Sequence, residues 1–220
     1  MNDCGQKLVA RCLFVSLDGF MAGDNQRLDQ PFGDHVEGFH DWFFATKTGA
    51  QMIGRDGGEE GLDNSFLAAA FDNIGASIMG RNMFAPSRGP WTDDDWTGWW
   101  GPNPPYHSDV FVLTHHPRAS IPKEGGTTFH FVTDGIASAL ERAFDAADGK
   151  DVRLNGGADV VRQYLRAGLV DELHLVIVPV LIGAGARLLD GVEIADNYRC
   201  VEHSASPAVT HVRLERVKEG

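Results

Sequence analysis

The sequence is poor in cysteine, and it lacks any long apolar run. Its 220 residues include only three cysteines, Cys4, Cys12 and Cys200, whose spacing fits neither a metal site nor a redox pair. No apolar segment approaches the length of a membrane span. With an odd number of cysteines and no signal peptide, we expect a reduced, cytoplasmic protein without a membrane partner.

Positive charge is also scarce. There are 31 Asp and Glu residues against 19 Lys and Arg residues, which gives a formal net charge of −12 at pH 7. This charge argues against nucleic acid and anionic membrane surfaces as partners. It also repels an anionic cofactor at long range, so a site for such a cofactor needs a local group of positive side chains.

The order of the sequence segments indicates an α/β protein. Strand-like apolar segments alternate with amphipathic helical segments, which is typical of a largely parallel sheet. Near the end of the chain, YRCVEHS and VTHVRLERV predict a closing antiparallel hairpin. We find neither an internal repeat nor a linker, and we therefore predict a single domain over residues 1–220.

Several elements can be predicted in the first third of the chain. Residues 8–17 form a continuous β-rich run, typical of a strand buried on both faces. Residues 35–47 predict a helix, and the Gly-rich, acidic residues 48–64 predict a solvated loop. We expect Asn64 or Ser65 to cap the helix that follows.

A tryptophan-rich segment at residues 89–108 breaks this pattern. It holds four of the five tryptophans among Pro, Gly and Asp, and it has no period, so it predicts irregular structure. So many large aromatic rings are expected to pack over another part of the protein or over a ligand. Two interpretations stay open, namely ordinary core packing and a lid over a binding site.

The stretch LNGGADVVRQYL, residues 154–165, joins a strand to a helix through two glycines. Val160, Val161 and Tyr164 recur at helical spacing, so we predict that the helix begins near Ala158. The first N–H groups of a helix attract anions, and glycines just before them let an anion approach. A tight strand-to-helix turn explains the same glycines. The spacing is not that of the dinucleotide fingerprint, which needs three glycines.

Five segments follow one another along the chain: VSLDGFMAG, IMGRNMF, VFVLTHHPR, NGGADVVRQYL and LVDELHLVIVPVLIGAGARLL. In this order they resemble the dihydrofolate reductase superfamily, and most of all the stand-alone relatives of the reductase domain of the bifunctional riboflavin-biosynthesis deaminase–reductase. The resemblance implies a mixed, mostly parallel sheet of about eight strands flanked by helices, with NADPH and a small-molecule substrate as ligands. The deaminase half is absent, because the sequence has no H-x-E with P-C-x-x-C.

The resemblance assigns the cofactor's phosphates to three segments. The resemblance implies that the pyrophosphate binds at the Gly-Gly pair and at the start of the helix that follows it. In family members a cis peptide bond joins the two glycines of this pair. A Gly-Arg pair meets cofactor phosphate, and the strand end VLTHHPR surrounds the 2′-phosphate that distinguishes NADP from NAD. The family's usual threonine two places after the Arg is Met83 here, so one hydroxyl contact is lost. The matching residues are Gly80, Arg81, Thr114, His115, Arg118, Gly156, Gly157, Ala158, Asp159 and Val160.

The side chain of Asp159 must point away from a pyrophosphate, because both are negative. The pair His115–His116 could suggest a metal, but no cysteine or carboxylate stands at ligand spacing, and we expect no metal site.

The segment SLDGFMAG matches the family's first strand and the loop over the nicotinamide. Backbone groups near Val15 and Ser16 would meet the carboxamide, and Met21 and Ala22 would flank the ring. Asp18 is the candidate catalytic residue, since it could orient the substrate or supply a proton. The alternative is a turn aspartate that caps its own loop, a common use of Asp-Gly.

By this resemblance the protein is an NADPH-dependent reductase that transfers hydride to a C=N or C=O bond of a heterocyclic or sugar-linked substrate, similar to 5-amino-6-(5-phosphoribosylamino)uracil reductase. Folate is a doubtful substrate, because Phe39 occupies the position of the pterin-binding carboxylate, three residues before Trp42. A nucleotide-binding or sensing protein of the same fold and a flavin-binding protein are the alternatives. The apolar stretch VIVPVLIGAGARLL predicts a homodimer, and the resemblance implies the same, because members of the family often dimerise.

Overall fold

The computed structural model describes residues 5–92 and 95–217, in which eleven strands and six α-helices occur. The strands are β1 (Leu8–Ser16), β2 (Phe20–Ala22), β3 (Ile74–Gly80), β4 (Asp109–Leu113), β5 (Ile121–Pro122), β6 (Thr128–Val132), β7 (Asp151–Gly156), β8 (Glu172–Val178), β9 (Ala186–Arg187), β10 (Tyr198–Ala205) and β11 (Thr210–Arg216). The helices are α1 (Asp41–Ala45), α2 (Lys47–Met52), α3 (Leu62–Ala69), α4 (Arg81–Phe84), α5 (Ile136–Ala146) and α6 (Ala158–Arg166). Among these described helices, none has the length and apolar character needed to cross a membrane.

Nine strands form one sheet in the order β10-β11-β8-β1-β7-β3-β4-β6-β5, and β2 pairs with β9 in a second sheet. The pairs β1–β7, β7–β3, β3–β4 and β4–β6 are parallel. The pairs β8–β11, β10–β11 and β5–β6 are antiparallel. The predicted α/β class, with a mostly parallel sheet flanked by helices and a C-terminal antiparallel hairpin, is confirmed. The main sheet has nine strands rather than about eight, because the two-residue strand β5 adds to its edge.

The chain divides into two compact units. Unit 1 consists of Met1–Ala10 and Asn73–Asp171, and unit 2 consists of Arg11–Asp72 and Glu172–Gly220. That the whole chain acts as a single domain stays a prediction. The buried apolar core of unit 1 contains Met79, Phe84, Ala85, Val110, Val112 and Phe129. That of unit 2 contains Cys12, Phe20, Phe39, Trp42, Leu67, Ala70, Val176, Val178, Ile182 and Val209.

The segment 35–47 is less helical than its pattern predicts. Its first helix is the five-residue α1, which does not begin until Asp41. His35 and Gly38 both adopt left-handed backbone angles, with φ of 60° and 75°, which a continuous helix does not tolerate. Two apolar side chains of this segment still turn inward, since Phe39 and Trp42 are 0% and 4% exposed.

The solvated loop predicted for residues 48–64 is confirmed only for residues 53–61, because residues 48–52 belong to α2 and residues 62–64 to α3. The predicted cap is wrong, since the N-terminal cap of α3 is Gly61 rather than Asn64 or Ser65. Both polar side chains lie within α3 and are used elsewhere. Asn64 Oδ1 accepts a hydrogen bond from the Thr48 amide at 2.8 Å, and Ser65 Oγ donates to the Gly61 carbonyl at 2.8 Å.

The tryptophan-rich segment contains no regular element at residues 89–92 and 95–108. Trp91, Trp96 and Trp100 pack against the core of unit 1. The Trp100 ring stacks on Phe129 with centroids 5.9 Å apart and an interplanar angle of 20°. These contacts favour core packing over a lid.

Candidate functional site

Three neighbouring parallel strands of unit 1 end side by side, and most of the candidate phosphate-binding residues follow these ends. Gly156 at the end of β7 is in register with Met79 of β3, and Gly80 at the end of β3 is in register with Leu113 at the end of β4. Helix α4 begins directly after Gly80, and α6 begins two residues after Gly156, at Ala158. Two helix starts therefore lie at the carboxyl edge of the sheet, where α/β proteins bind anions.

The glycines at these helix starts differ in their surroundings. A β-carbon on Gly80 would lie 2.8 Å from Val160 Cγ2 and 3.5 Å from the Gly157 nitrogen, so Gly80 permits the close approach of β3 and α6. Gly157, in contrast, has a φ of −73°, which any residue can adopt, and a β-carbon there would meet nothing within 4 Å. Neither packing nor φ among the described residues explains the missing side chain at Gly157. The space in front of α6 is open to a ligand.

The predictions for the start of α6 are confirmed. The helix begins at Ala158, and the peptide bond between Gly156 and Gly157 is cis. Ala158 and Val160 are 4% and 7% exposed, so their side chains face the interior and only their backbone N–H groups are suited to bind a ligand.

The side chain of Asp159 does not disturb this helix start. It is 72% exposed and forms an ion pair with Arg162 one turn later. The ion pair with Arg162 therefore holds the negative side chain of Asp159 away from a pyrophosphate at the helix start, as the sequence requires. Arg162 was not among the sequence candidates, although its i, i+3 spacing from Asp159 is a recognisable signal.

A cluster of arginines surrounds Trp91 in the same unit. The guanidinium carbons of Arg81 and Arg118 lie 3.2 Å and 4.8 Å from the centre of the Trp91 ring. The ring is itself held, because its Nε1 donates to the His116 carbonyl at 2.9 Å. Burial, followed by the positive charges of Arg118 and Arg88, lowers the pKa of Arg81. An anion bound among these side chains would relieve their repulsion.

Arg81 retains donors for such an anion, because a guanidinium has five N–H groups and its two hydrogen bonds to described residues use two of them. Its Nη1 donates to the Gly89 carbonyl at 3.2 Å and its Nη2 to Ser87 Oγ at 3.1 Å, whereas its buried Nε has no partner among the described residues. The Thr114 hydroxyl accepts a hydrogen bond from the amide two residues further on at 3.2 Å, and His115 is exposed. The arginines are therefore the stronger candidates for phosphate. Sequence reasoning missed Arg88 and the role of Trp91.

In unit 2, Asp18 is held on several sides. Ser16 Oγ donates to its Oδ1 at 2.6 Å, and the amides of Ile182 and Gly183 donate to Oδ1 and Oδ2 at 3.1 Å and 2.7 Å. The hydrogen bond from Ser16, assisted by these amides and opposed by desolvation, lowers the pKa of Asp18 to about 2. The carboxylate is ionised at neutral pH and has no proton to supply. This favours the loop-capping alternative, and the catalytic assignment of Asp18 stays a prediction.

The loop around Asp18 contains one residue that sequence reasoning missed. Arg187 of β9 donates from Nη1 to the Asp18 carbonyl at 3.0 Å, and its guanidinium carbon lies 4.3 Å from the Phe20 ring centre. Its signal was weak, since it is simply the one basic residue of a Gly-rich bend. The other unit 2 candidates lie on β1 and β2: Val15, Ser16, Met21 and Ala22. In the described parts of the chain, no group of three His, Cys, Asp or Glu residues could hold a metal ion.

A comparison with known proteins identifies the family of this chain. The family model of the RibD C-terminal domain matches residues 8–212. The chain belongs to the RibD C-terminal domain family. Among curated proteins, the uncharacterized protein YyaP from Bacillus subtilis (strain 168) is 26% identical over 204 residues, which cover 91% of this chain and 89% of YyaP.

Solved structures support the same assignment at the level of the fold. A protein from Shewanella sp. PV-4 that is assigned to riboflavin biosynthesis is 19% identical, with a TM-score of 0.59 and coverage of 97% of this chain and 100% of that one. The dihydrofolate reductase of Enterococcus faecalis, complexed with NADP(H) and RAB-propyl, is 14% identical, with a TM-score of 0.55 and coverage of 97% and 98%. The expected resemblance to the riboflavin-biosynthesis reductase domain is confirmed by the family model, and the resemblance to dihydrofolate reductase is confirmed at the level of the fold.

Proposed function

We propose that this member of the RibD C-terminal domain family is an NADPH-dependent reductase acting on a C=N or C=O bond of a small heterocyclic or sugar-linked substrate. The family and the fold support a reductase that uses a nicotinamide cofactor. The observation that carries the proposal is the open space at Gly157, in front of α6 and in the unit that also holds the arginine cluster.

The residues of unit 1 fit the phosphates of NADPH. The N–H groups at the start of α6 would hold the pyrophosphate, since the helix dipole favours an anion there and no side chain fills the space. Arg81 and Arg118, assisted by Arg88, would hold the 2′-phosphate, and the buried Arg81 Nε supplies an unused donor. When bound, NADPH supplies the hydride, and the protein supplies binding and orientation.

Asp18 has a different task in this proposal from the one its sequence context suggests. An ionised carboxylate with three hydrogen-bond donors holds the loop between β1 and β2, and the proton needed by the product comes from water. The lack of a proton at Asp18 also favours the second candidate function, a nucleotide-sensing protein of this fold without turnover.

Transfer of a deuterium label distinguishes these functions. NADPH carrying deuterium at C4 of the nicotinamide is incubated with the protein and a panel of pyrimidine, pterin and sugar-linked carbonyl or imine compounds. The proposal predicts deuterium in one product by mass spectrometry. Binding of NADPH with no transfer to any compound supports the sensing function, and failure to bind NADPH contradicts both.

A further inference from the structure

A buried chain of four polar residues runs through unit 2, and the function proposed above does not use it. His174 Nδ1 lies 3.3 Å from the backbone nitrogen of Cys12 and 3.5 Å from its Sγ. His174 Nε2 lies 3.1 Å from His211 Nδ1, and His211 Nε2 lies 2.9 Å from Asp63 Oδ1. These four residues connect β1, β8, β11 and helix α3.

The direction of every proton in this chain follows from its two ends. The Cys12 amide can only donate, so His174 Nδ1 accepts and the proton of a neutral His174 sits on Nε2. That N–H donates to His211 Nδ1, which leaves the proton of His211 on Nε2, facing the Asp63 carboxylate. Both imidazoles are therefore neutral and carry the same tautomer.

The surroundings isolate this arrangement from water. His174 and His211 are 2% and 1% exposed, and the Phe66 ring stacks on His211 with centroids 4.2 Å apart. The Asp63 end is the more exposed one, with 19% of its side chain exposed, whereas Cys12 is 7% exposed. Asp63 Oδ2 accepts a further hydrogen bond from Ser206 Oγ at 2.9 Å, so the carboxylate is fixed at both oxygens.

At the other end of this series of hydrogen bonds, the backbone of β1 is unusual at Cys12. Cys12 has a φ of 55°, in the left-handed region that a residue with a side chain seldom adopts, and it lies in the middle of a nine-residue strand. His174 accepts the amide hydrogen of this residue. The same strand continues to Val15 and Ser16, and Ser16 holds Asp18.

We propose that His174 is a positioning residue that fixes β1 at Cys12 and thereby sets the geometry of the Val15–Ser16 segment. This inference rests on the proposed function, because that segment matters for reduction only if it meets the nicotinamide. The hydrogen bonds to His211 and Asp63 serve to keep His174 in the tautomer that can accept from the strand. In this scheme His174 touches neither cofactor nor substrate.

Two substitutions test the two ring nitrogens of His174 separately. His174→Asn keeps an acceptor near the position of Nδ1, whereas His174→Gln keeps a donor near the position of Nε2 and loses the acceptor. We expect the Cys12–Ser16 amide resonances to move in His174→Gln and to stay near their parent positions in His174→Asn. We expect His174→Gln to lower kcat about tenfold or more with little change in the KM for NADPH, since a small misplacement of reacting groups is costly. His203→Gln, on the exposed face of β10, is the matched control.

A measurement on the parent protein needs no substitution and stands even if His174→Gln does not fold. Long-range proton–nitrogen NMR of the imidazoles reports their tautomers, and we expect His174 and His211 both to carry the proton on Nε2. A proton on His174 Nδ1, or equal amide shifts and equal kcat in the two variants, overturns the inference. If the parent transfers no deuterium from NADPH, the proposed function fails and the kinetic claim fails with it. The tautomers and amide shifts then still decide whether His174 fixes β1.

Discussion

The guanidinium carbon of Arg81 lies 3.2 Å from the centre of the Trp91 ring, and Arg118 approaches the same ring at 4.8 Å. In a chain with a net charge of −12, two arginines over one indole form a local concentration of positive charge. A guanidinium can bind phosphate oxygens in pairs, which suits the 2′-phosphate of NADPH. The Trp91 ring contacts both guanidinium groups and so helps to orient them.

Cofactor preference should follow from this cluster. We expect the parent to bind NADPH more tightly than NADH, and Arg81→Ala or Arg118→Ala to shrink that difference. Hydrogen bonds to a charged group contribute roughly 1.5–3 kcal/mol each, which corresponds to about tenfold or more in Kd. Titration of both cofactors against each variant measures the effect, with Arg199→Ala as a control for loss of an exposed arginine. A parent that prefers NADH, or a difference that neither variant narrows, shows that the cluster does not read the 2′-phosphate.

The contact between β3 and α6 predicts a cost at Gly80. A methyl group there would lie 2.8 Å from Val160 Cγ2, and we expect Gly80→Ala to destabilise the protein by about 1–3 kcal/mol through overpacking. Val160→Ala in the same chain should recover part of that loss. Gly157→Ala is the control, since its added methyl group meets nothing within 4 Å. Denaturant melts of the four proteins decide the point, and a Gly80→Ala protein as stable as the parent would contradict it.

His40 should make unit 2 sensitive to acid. Its imidazole lies among the rings of Phe14, Phe32, Phe39 and Phe44, and burial lowers its pKa from 6.5 to about 4. Between these values the unfolded chain binds a proton that the folded chain does not. Stability therefore falls as the pH drops from 6.5 to about 4, by up to about 3 kcal/mol.

Replacing the imidazole tests this assignment. His40→Phe should flatten the loss of unfolding free energy over that pH range, and His203→Phe, at an exposed position, should leave it as in the parent. Chemical denaturation at several pH values gives both curves. Parallel curves for His40→Phe and the parent would rule out His40 as the source.

The predicted homodimer has a specific pair of candidate contacts. Leu17 and Leu181 are 61% and 71% exposed, and the Leu17 amide donates to the Val180 carbonyl at 3.0 Å, so two exposed apolar side chains lie on adjoining segments. We expect a sedimentation mass of twice the 24.0 kDa chain, and a shift toward the monomer in Leu181→Lys. A parent mass near 24.0 kDa at micromolar concentration would exclude the dimer.

Local chemistry made part of the site predictable. The start of α6 and the position of the glycine pair follow from helical spacing and from the chemistry of helix ends, and they stand where the sequence indicates. The shortened α1 could not be foreseen, because nothing local forces a left-handed backbone on His35. Asn64 and Ser65 are good capping residues, but Asn64 accepts a long-range hydrogen bond from the Thr48 amide and Ser65 donates to the Gly61 carbonyl four residues before it.

Long-range contacts account for what was missed in the site. The role of Trp91 depends on arginines 10 and 27 positions away in the chain, and no local pattern reports that proximity. The charge state of Asp18 depends on amides of Ile182 and Gly183, which lie more than 160 positions later. A sequence pattern suggests that Asp18 is reactive, whereas its hydrogen-bond partners keep it ionised.

Binding of NADPH by Gly157→Val tests the central claim most directly. The substitution adds a side chain where the fold leaves open space, so we expect a melting temperature close to that of the parent. If the start of α6 holds the pyrophosphate, the Kd for NADPH should rise about tenfold or more, because hydrogen bonds to a charged group are lost. Calorimetric titration of both proteins, alongside their thermal melts, gives the comparison. An unchanged Kd in a variant as stable as the parent would show that the glycines only form a turn and that the phosphates bind elsewhere.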